Sequence, residues 1–173
     1  MKHDYVLETD RLILRHMTPD DAEAVFAWVS DPIVNRFMPY ALYTSVNQVR
    51  EWLETLATAD SYDFGFVRKS DGLLIGSGDI GLQSGSNWAF GYNIRHDCWN
   101  QGYTTEAARA MVSFAHTTFG AVDFIANHAT ENPASGRVME HIGMTFSHYG
   151  EYSTFDKSET FPCKYYTMHL EPR

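Results

Sequence analysis

A chain of 173 residues, 44% hydrophobic and 14% aromatic, is long enough to bury one core and too apolar to be disordered. A formal net charge of -9 speaks against nucleic acid or an anionic membrane surface as a partner and suits a cationic substrate such as an amine. Two cysteines, Cys98 and Cys163, make no disulfide framework, no apolar core follows Met1–Asp4, and no apolar run has membrane-spanning length. A cytoplasmic protein with a single domain over 1–173 is therefore expected.

In chain order, Arg11–Arg15 (RLILR) reads as a strand with Leu12 and Leu14 on one side. Thr18-Pro19-Asp20-Asp21 starts a helix, with Thr18 as cap and Pro19 at the first position, and Ala22, Val25, Phe26 and Val29 form its apolar stripe. Asp31-Pro32 stops it. Ser45–Gln48 is a capping box for a second helix with Val49, Trp52, Leu53 and Leu56 inward. Tyr62–Arg68 and Leu73–Leu82 read as a hairpin around the turn Lys69–Gly72, and Trp88–Ile94 as the strand after the turn Gln83–Asn87.

The second half alternates more sharply. Trp99–Tyr103 opens a helix with Ala107, Met111, Phe114 and Ala115 on one face, ending near Gly120. Val122–His128 is a strand, and Asn132-Pro133 begins a short helix with Val138, Met139 and Ile142 inward, closed by Gly143. Thr145–Tyr149 and Lys164–Leu170 read as two final strands joined by a polar loop. Without a linker or repeat, the pattern is an α/β mixture in one piece.

The stretch Trp99–Ala107 (WNQGYTTEA) follows a strand and opens a helix. Such a loop offers free backbone N–H groups and the positive end of the helix dipole to an anion. Gly102 permits close approach, and Gln101, Thr104 and Thr105 add neutral donors. No lysine follows the glycine, so a bound pyrophosphate would be held chiefly by backbone. On its own, a strand-to-helix segment with one glycine is more often a plain turn. Gly76–Gly81 (GSGDIG) matches GxGxxG, but it leads into Leu82 and the turn Gln83–Asn87 rather than a helix, which removes the dinucleotide reading. No histidines are spaced for a helical metal site, neither cysteine has a CxxC partner, and there is no GxSxG, so neither a metal nor a serine nucleophile of that type is expected.

Asn132–Met144 (NPASGRVMEHIGM) follows the next strand, and with the Trp99 segment it resembles the GCN5-related N-acetyltransferase (GNAT) superfamily, in the branch that acetylates ribosomal-protein N-termini at alanine or serine. Leu7–Arg15 looks like that branch's opening strand, and Leu74–Ser77 and Gly91–Ile94 like its third and fourth, so the resemblance runs from about Leu7 to Leu170. It implies a mixed, mostly antiparallel sheet of six to seven strands flanked by about four helices, splayed between strands 4 and 5, with acetyl-CoA in the gap. Backbone around Asn93 and Ile94 would pair with the pantetheine and thioester, Gln101, Gly102, Tyr103, Thr104 and Thr105 would hold the pyrophosphate, and Asn132 would reach the pantetheine arm. Ser135 would protonate the departing thiolate. From the residues alone, Asn132 reads equally as a helix cap and Ser135 as a first-turn serine satisfying backbone.

Two departures from the family pattern stand out. Trp99, Asn100 and Thr104 replace more frequent loop residues, and Met139 occupies a position where many relatives carry a proton-donating tyrosine. The resemblance implies attack of a neutral amine directly on the thioester, with a strand N–H polarising the carbonyl. Freeing an α-amine of its proton at pH 7 costs about 1 kcal/mol, against about 4.6 kcal/mol for lysine, so weak basic assistance favours a protein or peptide N-terminus. Glu151, His148 and Asp79 are the candidate bases, directly or through water, although each reads more often as a plain surface or loop residue. A small amine (antibiotic, polyamine or amino acid) is the alternative acceptor, and a non-catalytic acyl-CoA-binding module the alternative class. The connection Gly150–Pro162 and the region Phe37–Ser45 are expected to line the acceptor side with Phe37, Tyr40, Tyr43, Tyr152, Phe155 and Phe161. A monomer or homodimer is expected, with no partners beyond acetyl-CoA and the amine.

Overall fold

The computed structural model describes residues 4–173, so Met1–His3, part of the segment read above for an apolar leader, lie outside it. Strands β1 (Val6–Glu8), β2 (Leu12–Arg15), β3 (Tyr62–Arg68), β4 (Leu74–Ser84), β5 (Asn87–Ile94), β6 (Asp123–Ala129), β7 (Thr145–Ser153) and β8 (Thr160–His169) join one sheet in the order β1-β2-β3-β4-β5-β6-β8-β7. The helices are α1 (Ala22–Val29), α2 (Val46–Thr55), α3 (Tyr103–Phe119) and α4 (Pro133–His141). All strand pairs are antiparallel except β5 with β6.

The sheet has eight strands rather than six to seven. The opening segment is two strands because Thr9 turns the chain: its N–H donates to Leu12 O at 3.0 Å, and its hydroxyl accepts from Leu12 N–H at 3.0 Å. β7 and β8 also run further than expected. Part of the stretch read as a polar loop is paired strand, with Gly150 opposite Cys163, Tyr152 opposite Phe161 and Ser153 opposite Thr160. Polarity misled there because β7 is a solvated edge strand, exposed at eight of its nine positions, and needs no apolar alternation.

Two cores sandwich the sheet. On one face Leu12, Leu14, Phe64, Phe66, Ile80 and Phe124 pack with Met111 and Phe114 of α3 and Met139 of α4. On the other, Trp28, Val25, Val49 and Leu53 of α1 and α2 close over Met17 and Leu74. Gly78 marks the tightest approach: a Cβ there would lie 2.7 Å from Gly91 O and 2.9 Å from both Met111 Cε and Phe66 Cζ. The GSGDIG glycines are thus strand positions, and the absence of a following helix has its counterpart in β4 continuing to Ser84.

The parallel pairing of β5 with β6 covers only Asn87–Ala89 against Asp123–Ile125. Beyond Ala89 the two strands part, and the sheet is split there. This is the splay expected between strands 4 and 5, its number shifted by the extra strand at the start.

Candidate active site

A cavity of about 1680 Å³ runs through the split, from the first turn of α3 and the start of α4 to the connection between α1 and α2. The ladder decides which backbone groups face it. Arg95 N–H donates to Ile75 O at 2.8 Å, and 93 pairs with 77 in the same register, so the odd-numbered residues of β5 direct both backbone groups toward β4. The groups of Tyr92 and Ile94 therefore point into the gap. Asn93 turns its backbone to β4 instead, so the gap-facing backbone around it belongs to its two neighbours. The Ile94 carbonyl accepts from Trp99 Nε1 at 3.1 Å, which leaves the Ile94 N–H as the group available at that residue.

That indole contact also fixes the loop into α3. Asn100 (φ 59°) and Gly102 (φ 80°) both take left-handed conformations, and Gly102, as the residue preceding the helix, has no side chain to cap it. The first-turn N–H groups at Tyr103, Thr104 and Thr105 stay uncapped, and Gly102 and these three residues line the cavity. Gln101 does not line it; its side chain donates to Asp97 O at 3.1 Å and its carbonyl accepts from Arg11 Nη1 at 2.7 Å.

Arg11 is a residue the sequence reading missed. Its Nε donates to Glu106 Oε2 at 2.7 Å, its N–H to Glu106 Oε1 at 2.8 Å, and its guanidinium lies 4.3 Å over the Tyr103 ring. Thr9 adds a 2.6 Å hydroxyl bond to the same carboxylate. Burial alone would raise the Glu106 carboxyl, but these donors more than offset it and hold it below the ordinary range. Glu106 thereby clamps the β1–β2 turn to the helix start, and the Arg11 guanidinium, paired with Glu106, sits beside this cradle of uncapped N–H groups.

Opposite the cradle, Asn132 precedes α4 without a side-chain capping bond and lines the cavity. Ser135, one turn in, also lines it, and its hydroxyl and carbonyl each lie 2.9 Å from Tyr92 Oη. One phenol proton serves two oxygens: when Tyr92 donates to the Ser135 carbonyl, it accepts from the serine hydroxyl. Burial pushes the Tyr92 phenol up to about 12, although its bond to Ser135 pulls the other way. Met139 is buried and faces the core.

On the far side of the sheet Asn93 Nδ2 donates to Tyr40 Oη at 2.6 Å, and Tyr40 donates to Asn35 Oδ1 at 2.8 Å. Asn35 Nδ2 in turn donates to the Asp31 carbonyl at 2.7 Å, so this chain of amides pins the α1–α2 connection over β5. Tyr152 donates to Phe37 O at 2.6 Å and Phe155 N–H to Pro39 O at 2.8 Å, bringing the β7–β8 hairpin onto the same connection. Phe37, Tyr40, Tyr43, Tyr152 and Phe155 line the cavity, whereas Phe161 is buried behind Phe37 at a ring separation of 5.8 Å. Of the three candidate bases only Asp79 reaches the cavity. Glu151 is exposed, its neighbour Tyr152 taking the inward face, and His148 is exposed and stacked on Tyr165 at 4.6 Å.

A split mixed sheet, an uncapped helix start at one end of the gap and a wide cavity through it define a GNAT-type acetyl-transfer fold. The profile described as "Acetyltransferase (GNAT) domain" matches residues 11–145, and the chain belongs to that family of N-acetyltransferases. It is 32% identical over 146 residues to the uncharacterized N-acetyltransferase YoaA of Bacillus subtilis (strain 168), covering 80% of this chain and 81% of that protein. A GNAT-family acetyltransferase from Bacillus anthracis superposes with a TM-score of 0.86 at 25% identity, covering 95% of this chain and 98% of the other. The ribosomal-protein-S5-alanine acetyltransferase from Vibrio fischeri shares the fold with a TM-score of 0.74 at 13% identity, over 98% and 100% of the two chains.

Proposed function

We propose that this N-acetyltransferase moves the acetyl group of acetyl-CoA to the free N-terminus of a protein or peptide by direct attack of the amine on the thioester. The observation that carries the donor half is the gap itself, where the backbone of Tyr92 and the N–H of Ile94, beyond the end of the β5–β6 ladder, lead to the uncapped N–H groups of Tyr103, Thr104 and Thr105. Extended backbone suits a pantetheine amide arm, and the helix start suits a pyrophosphate. Asn132, free of capping duty, supports the same placement of the arm. Acetyl-CoA supplies the activated acyl group.

The chain's residues then divide the work. A backbone N–H in the gap polarises the thioester carbonyl. Ser135 gives its hydroxyl proton to the departing thiolate while Tyr92 donates to the serine oxygen and holds it in place, and the proton released by the acylated nitrogen returns to that oxygen through water. Buried Met139 leaves this role to Ser135. The length of the cavity and its aromatic wall fit an extended chain terminus, and the low cost of deprotonating an α-amine favours one over a lysine side chain. The same aromatics fit a small aromatic or aliphatic amine, which is the second reading.

Thiol release from acetyl-CoA is the test, measured across peptides with free Ala or Ser N-termini, their Nα-blocked lysine-containing counterparts, and small amines. Turnover with the free N-termini and none with the blocked peptides is expected. Turnover confined to small amines would replace the acceptor. A thermal shift separates out the donor half: acetyl-CoA at a 100-fold excess over its Kd should add about 2.7 kcal/mol of stability.

A further inference from the structure

We propose that Asp79 receives the acceptor's ammonium group on the floor of the cavity and takes its proton before attack. The inference rests on the acetyl-transfer reading above and adds a residue to it.

The sheet puts Asp79 in position by register. On the face turned toward α1 and α2, Asp79 of β4 stands opposite Asp63 of β3 and opposite Gly91 of β5. Ser77 and Asn93 form the next row on that face, about 7 Å along the strands. Gly91 has no side chain to cover the carboxylate; a Cβ there would lie 3.3 Å from Asp79 Oδ1. Asp79 therefore stays open to the cavity from below, while Asp63 is buried beside it.

The two carboxylates differ in what holds them. Asp63 lies 3.0 Å from His16 Nδ1 and accepts from Met17 N–H at 3.3 Å, so its charge is anchored in the protein. Among the described residues, no side chain donates a hydrogen bond to Asp79, whose carboxylate faces the cavity. The protein packed around it, and the Asp63 carboxylate next to it, push its carboxyl up to about 6; its own backbone N–H opposes this. A carboxylate in that range is ionised at neutral pH yet basic enough to accept a proton from an amine. The other titratable or charged groups lining this side of the cavity are Arg36, Tyr40, Tyr43, Tyr152 and Tyr165. Arg36 is committed to Glu159 at 3.0 Å, and burial raises all four phenols, so each stays neutral. With His16 held on Asp63 and Arg36 on Glu159, the site presents negative charge among the described residues, in accord with the net charge of -9.

The proton count closes. The acceptor enters as R–NH3+; one proton passes to Asp79, directly or through one water, and leaves to solvent through the open cavity. The neutral nitrogen forms the C–N bond as the C–S bond breaks, and a second nitrogen proton balances the one taken up by the thiolate. Asp63, with His16, is a positioning residue that tunes Asp79 without touching the substrate.

The test has a binding arm that needs no turnover. Phenethylammonium and its neutral analogue 2-phenylethanol are titrated into wild type, Asp79→Asn and Asp63→Asn and followed by NMR chemical shifts. Wild type should prefer the cation by about tenfold, and Asp79→Asn should lose that preference while keeping wild-type affinity for acetyl-CoA. In parallel, carboxyl-carbon NMR of aspartate-labelled protein should show a signal with a midpoint near 6 that is absent in Asp79→Asn and moves to lower pH in Asp63→Asn. Equal affinity for the two probes in wild type, or a cation preference that survives in Asp79→Asn, overturns the proposal. Cation preference without acetylation of any amine would instead overturn the acetyl-transfer reading and leave the ammonium site standing.

Discussion

Replacing Tyr92 with Phe removes one oxygen and leaves the ring in place, which isolates the hold on Ser135. That oxygen makes two contacts of 2.9 Å, to the serine carbonyl and to its hydroxyl. Because Ser135 borders the cavity, water replaces part of what is lost, and the net stability cost should be about 1 kcal/mol. For a chain of this size that is a fall in Tm of roughly 2–4 °C. The kinetic effect has a different origin. Freed from the phenol, the serine hydroxyl spreads over three staggered rotamers of which one faces the leaving sulfur, an entropy term of roughly 0.6 kcal/mol or about threefold in rate. Losing the orienting bond as well brings the expected fall in kcat to about three- to tenfold, with the KM for acetyl-CoA unchanged. The assay is thiol release by Tyr92→Phe, Ser135→Ala and the double variant. Since Tyr92 acts through Ser135, the double variant should be no slower than Ser135→Ala alone. The phenol is pushed up to about 12, so the pH profiles of wild type and Tyr92→Phe should run parallel through neutral pH. Strictly additive losses in kcat, or full activity in Tyr92→Phe, would refute the reasoning.

Three further outcomes follow from the same geometry. Gly78→Ala forces a Cβ to within 2.7 Å of a backbone oxygen that cannot swing aside, and urea unfolding should show a loss of about 1–3 kcal/mol. Gly102→Ala meets a φ of 80° and Arg11 Nη2 at 3.3 Å, so about 1 kcal/mol of strain falls on the cradle; steady-state kinetics should show a raised KM for acetyl-CoA with little change in kcat. Burial would raise the Asp21 carboxyl, but Arg15 and the Thr18 N–H hold it below its ordinary 3.8, so its contribution is present above that value and disappears as pH falls through the lowered one. Denaturation of Asp21→Asn should accordingly show a deficit at pH 7 that vanishes in acid.

Much of the fold was legible because local rules and tertiary packing agree here. Gly120 ends α3 with a φ of 71°, Ser45 caps α2 by accepting from Gln48 N–H at 3.3 Å, and Pro133 opens α4, all as their residue types demand. The β7–β8 hairpin was half hidden, since an edge strand exposed on both faces carries no apolar period. The loop into α3 was legible as an uncapped helix start as well, because the strand-to-helix segment around Gly102 is contiguous. Glu151 and Asp79 could not be ranked from the sequence. Which of them reaches the cavity depends on side-chain parity in two different strands, and a shift of one residue in either register reverses it.

The sequence by itself determined the elements, their order, the loop that offers a helix start to an anion and the kinship with acetyltransferases, all of which are written in contiguous runs of residues. Tertiary structure alone decided the rest. It brought Tyr92 to Ser135 across 43 positions, Arg11 to Glu106 across 95, and the Asn35–Tyr40–Asn93 chain over β5 at the cavity. The physical reason is that a split sheet places groups by register and by which face they occupy, and neither is specified until the strands have paired.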